Sequence, residues 1–118
     1  MSADPFAERL AKVRHRFVSA LESKIEDTYA AIPNLSGSTP AGVEAIVAAY
    51  RRIHDIVGIG PTVGFPATGR AARDVEDVLR GPYQSGRGLT EDEILDFKKR
   101  LDALREAATR ELQFFYAV

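Results

Sequence analysis

The chain has 118 residues, the length of one domain, with 45% hydrophobic and 28% charged residues. That composition excludes a disordered tail, a collagen-like repeat and a low-complexity linker. Sixteen Lys plus Arg stand against seventeen Asp plus Glu, so no general field draws nucleic acid or an acidic membrane.

In chain order, Phe6, Leu10, Val13, Phe17, Leu21, Ile25, Thr28 or Tyr29, and Ile32 recur at steps of three and four residues. This is one face of an α-helix from about Asp4 to Ile32, with Glu8, Arg9, Lys12, Arg16, Glu22 and Glu26 on the other side. Pro33 and the run Asn34-Leu35-Ser36-Gly37-Ser38 end it. A second helix starts with Thr39 as N-cap and Pro40 at the first helical position. Its apolar arc is Val43, Ile46, Val47, Tyr50, Ile53 and Val57, and Gly58-Ile59-Gly60-Pro61 predicts a bend or a break. A third helix runs from about Pro66 to Arg80, with Gly81-Pro82 as its stop and a turn-rich loop over Tyr83 to Gly88. The fourth opens on a capping box, Thr90 with Glu93, and a hydrophobic staple, Leu89 with Ile94. Its stripe then continues from Phe97 through Leu112 to Phe115. The apolar end Phe114-Phe115-Tyr116 is expected to cap the bundle, with a sticky partner patch as the alternative. Strand signals are nearly absent, so the expected fold is all-α, an antiparallel up-down four-helix bundle forming one domain over 1–118.

Cysteine is absent, which removes disulfides, thiolate zinc sites and cysteine nucleophiles. The opening stretch carries acids from Asp4 onward and lacks the apolar run of a secretory signal, and no run of about 18 apolar residues exists to span a bilayer. A soluble cytoplasmic protein is the expectation. Asp74, Glu76 and Asp77 read as solvated carboxylates, and Glu91, Asp92 and Glu93 as first-turn acids that complement a helix dipole. Neither histidine has a glutamate three residues before it, so no di-metal bundle site is expected. The glycines Gly58, Gly60 and Gly64 follow no strand and precede no Walker lysine, so autonomous ATP-dependent kinase activity is not expected.

The chain has two histidines. His15 lies about 200° around the first helix from Val13, on the wet side. His54 lies about 40° from Tyr50, at the border between core and solvent. On periodicity alone a packed, hydrogen-bonded histidine is the simpler reading. Gly58 follows one turn later, and a glycine inside a helix costs about 1 kcal/mol relative to alanine, which points to a packing or access reason; a plain bend at Gly58, Gly60 and Pro61 is the alternative.

The segment from Tyr50 to Leu79, YRRIHDIVGIGPTVGFPATGRAARDVEDVL, resembles the signature of histidine-containing phosphotransfer (HPt) domains. The matching residues are His54, Gly58 four residues on, Gly60, Gly64 ten residues on, Phe65, Ala71, Ala72, Val75 and Glu76. The stretch from Phe17 to Leu21, with Ile25 and Tyr29, is similar to the family's preceding helix. The resemblance implies a phosphocarrier with His54 as the phosphoryl-accepting nucleophile, supported by Gly58 and Gly64. Its implied partners are a response-regulator receiver domain and, upstream, a sensor histidine kinase. It implies no cofactor on this chain, the Mg²⁺ sitting on the receiver. The chain departs from the pattern at Val57, where most members carry a lysine thought to help hold the phosphoryl group, and at Pro61. Arg51, one turn before His54, is expected to supply a cation instead. A non-phosphorylatable adaptor that only docks a receiver domain or a kinase is the alternative. Arg51, Arg52, Arg70 and Arg73 either frame a basic rim near His54 or are ordinary solvated residues.

Overall fold

Each helix begins where the sequence supplies a partner for its first N–H groups. The structure, a computed structural model, describes residues 4–116. Asp4 caps α1 (Pro5–Ala31), its carboxylate accepting the Phe6 N–H at 3.0 Å. A 3₁₀ turn, Ile32–Asn34, carries the chain through Pro33. Thr39 Oγ1 accepts the Gly42 N–H at 3.2 Å and opens α2 (Pro40–Ile59). The disturbance after it is a break. Pro61 has no N–H for the Val57 carbonyl, the chain tightens into a 3₁₀ turn at Pro61–Val63, and Gly64 reverses it at φ +95°.

Two departures from the sequence reading concern α3 (Pro66–Ser85). Gly81-Pro82 does not end it. The proline forfeits one bond to the Val78 carbonyl but keeps its own acceptor, which takes the Arg87 N–H at 3.1 Å where Gly86, at φ +63°, closes the helix. The start of α3 is capped from another helix. Glu111 of α4 (Glu91–Tyr116) accepts the Thr68 N–H and hydroxyl, both at 2.7 Å, and the Ala67 N–H at 3.2 Å. The capping box of α4 forms as expected, with the Thr90 N–H on Glu93 at 2.9 Å and the Glu93 N–H on Thr90 Oγ1 at 3.2 Å. Arg87 also donates to Glu93, at 2.7 and 3.2 Å, and this pairing holds the Glu93 carboxyl down at about 2.

Short connections force neighbouring helices to run antiparallel, and the four pack in chain order around one core. The helix α3 lies closest along α2 and α4, while α1 rests across α2 and α4 more loosely. Phe17, Leu21, Ile25, Ile46, Ile53, Ile56, Phe65, Val75, Leu79, Phe97, Leu101 and Leu104 fill the interior. At one end the two connecting loops lock together: the Leu89 N–H reaches the Leu35 carbonyl at 2.7 Å, and Gly88 lies so close to Gly37 that no Cβ would fit.

At the other end the apolar stripe outruns the core. The 27 residues of α1 span about 40 Å, against about 30 Å for the 20 residues of α2. Phe6 is therefore 66% exposed and Val13 is exposed too, although both belong to the stripe expected to be buried. The expected cap at the C-terminal end is likewise only partial. The Phe115 ring sits 6.1 Å from that of Phe65, whereas Phe114 and Tyr116 face solvent. Among the described residues no helix is long and apolar enough to cross a membrane.

Candidate functional site

On α2 the buried positions Ile53 and Ile56 straddle His54, which fixes the imidazole on the flank that faces α3. His54 remains 62% exposed at its side chain while Nδ1 lies 2.5 Å from Glu76 Oε2. Glu76 is the opposite case, a carboxylate only 6% exposed. A buried charge needs partners, and this one has two: His54 on Oε2, and Arg80 on Oε1 at 3.1 Å. Arg80 also donates to Asp77 at 2.9 Å, and that bond above all holds its guanidinium above the ordinary range. The ring is supported on its face as well. Tyr50 stacks on His54 at 5.6 Å between centroids and on Tyr83 at 4.1 Å, so three rings form a column along the α2–α3 seam.

A carboxylate only accepts, so Nδ1 is the donor between the two groups, and whenever the ring is neutral the lone pair is on Nε2. Among the described residues Nε2 bonds nothing. The arrangement is that of a nucleophile or base with its tautomer set by a buried acid. Next to it, a Cβ added at Gly58 would meet nothing within 4 Å. Gly58 therefore answers no packing demand and leaves the approach to His54 open, while the helix continues through it to Ile59.

The other sequence candidates separate. Arg51 is exposed one turn before His54 and forms no ion pair among the described residues; Arg52 turns instead to α1, donating to Thr28 Oγ1 at 3.3 Å. Gly64 serves the turn between α2 and α3 through its positive φ, six residues past Gly58 and away from the ring. His15 is exposed on α1, as expected. Val57 is half-buried beside Pro61, Gly69, Arg70 and Arg73. Among the described residues no group of three or more His, Asp and Glu could hold a metal ion.

Two residues at the site differ from the sequence reading. Glu76, a residue of the family-like signature expected to be solvated, is buried, and the signal is local: it falls four residues after Ala72 and three before Leu79, both in the core. Tyr83 falls in the loop that a stop at Gly81-Pro82 predicts; one more helical turn brings it onto Tyr50. No protein family, no curated protein and no solved structure matches the chain.

Proposed function

We propose that the protein is a phosphocarrier of the histidine phosphotransfer type, a single domain that accepts and returns a phosphoryl group on His54. With the Nδ1 proton donated to Glu76, the Nε2 lone pair is the nucleophile. It attacks the phosphorus of an aspartyl phosphate on a receiver domain. The N–P bond forms as the acyl P–O bond breaks, and the partner's aspartate leaves as a carboxylate with the bonding electrons. No proton has to be removed. The ring becomes a phosphoimidazolium whose positive charge faces the Glu76 carboxylate. The reverse step hands the group to a second receiver aspartate. The receiver contributes the acidic pocket and its Mg²⁺, so this chain needs little more than a nucleophile on a stiff helix.

The observation that carries the reading is an imidazole held through one nitrogen by a buried carboxylate, with the other nitrogen in the open beside an uncovered glycine. Mixing with a phosphorylated receiver domain tests it. The expected product is an acid-labile, base-stable label on this chain. His54→Ala should abolish the label and leave the fold intact at a cost of about 1–3 kcal/mol, because the ring lies outside the core but its loss leaves the buried Glu76 with Arg80 alone. A variant that still takes the label overturns the assignment. The adaptor reading draws on Val57 in the place of the family lysine, and it is supported instead if receiver binds and no label transfers.

A further inference from the structure

One turn past His54 the α2–α3 seam opens into a groove of about 320 Å³ lined by Val57, Pro61, Gly69, Arg70 and Arg73. Its α2 wall is apolar and its α3 wall carries two guanidinium groups. Among the described residues no ion pair or side-chain hydrogen bond engages either of them; the same holds for Arg9, Arg16 and Arg51, but Arg70 and Arg73 line one groove together. Two neighbouring unpaired cations in a concave site repel each other unless an anion lies between them.

Register ties the groove to the imidazole. Helices α2 and α3 run antiparallel, and His54 is joined to Glu76 across the seam. Moving three residues along α2 to Val57 therefore corresponds to moving three residues back along α3 to Arg73, about 4.5 Å in each case. The far end of the groove is fixed, because a Cβ at Gly69 would come within 2.7 Å of the Pro61 ring. The near end is open, since nothing stands within 4 Å of a Cβ at Gly58.

We propose that this groove is the anion seat of the site: Arg73, seconded by Arg70, takes the oxygens of the phosphoryl group carried at His54 Nε2. The cation thus comes from α3, opposite the position where Val57 leaves none, and Arg51 is dispensable. A planar guanidinium offers paired donors to phosphate oxygens, which a single ammonium cannot do. This rests on the phosphocarrier reading for what brings the phosphate, although binding of the anion itself does not.

The experiment measures labelling of His54 by phosphoramidate, a small donor that needs no receiver, together with the lifetime of the label. A parallel titration with inorganic phosphate follows the Arg70 and Arg73 Nε–H signals by NMR. Arg73→Ala should lower the labelling rate or the lifetime about tenfold, Arg51→Ala should leave both unchanged, and Val57→Lys added to Arg73→Ala should restore them. If wild type labels and the Arg70→Ala/Arg73→Ala double variant behaves identically, the seat is overturned while the carrier stands. If wild type takes no label, the carrier reading fails and the titration alone decides. Saturable shifts at Arg70 and Arg73 that vanish in the double variant then support the seat, and their absence overturns it.

Discussion

His54 and Glu76 pair an exposed ring with a buried carboxylate, and the proposed phosphocarrier would divide its chemistry between them. On the phosphocarrier proposal the carboxylate sets which nitrogen reacts and meets the positive charge that forms on the ring, so its charge should matter beyond its shape. Glu76→Gln keeps an acceptor for Nδ1 but removes the charge, and the labelling rate should fall about tenfold with the label still on His54. Rapid-quench labelling by phosphoramidate checks this; an unchanged rate would leave Glu76 a purely structural residue. Gly58 separates access from chemistry. Gly58→Ala should raise the stability measured in urea by up to about 1 kcal/mol, since the added methyl meets nothing. Gly58→Leu should slow labelling by a phosphorylated receiver at least about tenfold while leaving labelling by phosphoramidate unchanged, if a docked domain sits there. The edge position of His54 and the open side of Gly58 were legible in the sequence, because a histidine at the border of an apolar arc and a costly helical glycine are local signals. The role of Glu76 was not. Its pairing depends on the register between two helices, and only the three- and four-residue spacing to Leu79 and Ala72 hinted that it pointed inward.

Helix by helix, the ends whose partners lie within a few residues were readable, and those closed from a distance were not. Thr39 and Thr90 cap as their spacing implies, and Asp4, where the helical stretch is expected to start, caps α1. The cap of α3 comes from Glu111, more than forty residues away, and no local pattern announces it. Pro82 misled for the opposite reason: a local stop signal was overridden because the ring is buried and Gly86 ends the helix one turn later. The α4 cap also has a pH signature. Arg87 holds the Glu93 carboxyl at about 2 against an ordinary 4.5. A carboxyl lowered by folding stabilises the protein fully above its unfolded value, and that contribution is lost as pH falls from about 4.5 toward about 2. Urea unfolding at about pH 6 and about pH 3 should therefore lose less stability in Glu93→Gln than in wild type, although Glu93→Gln is the weaker protein at about pH 6. An equal loss in both would remove Glu93 from the acid limb.

At the scale of the molecule, the bundle is 57 Å long and 24 by 19 Å across, with a radius of gyration of 15.6 Å. A rounder domain of this length would have about 13.5 Å. The difference lies in the overhanging end, where α1 runs beyond the turn between α2 and α3. Arg14 makes the last side-chain hydrogen bond from α1 to the rest of the bundle there, donating to the Val63 carbonyl at 2.9 Å, and Leu10 is the last α1 residue packed against the core. Amide hydrogen exchange over residues 6–13 should be at least about tenfold faster than over residues 17–28, where the same helix is seated on the core. Equal protection along α1 would mean that the overhang is held by something beyond its own contacts. The periodic stripe revealed that α1 is a helix but not where its support stops, because helix length and bundle length are set by different residues. The ring column along the α2–α3 seam has a practical consequence. The protein lacks tryptophan, so its ultraviolet emission comes from four tyrosines, and two of them, Tyr50 and Tyr83, are stacked in line with His54. A phosphate or a foreign surface that reached that imidazole should therefore change the intrinsic fluorescence, an optical gauge that needs no dye.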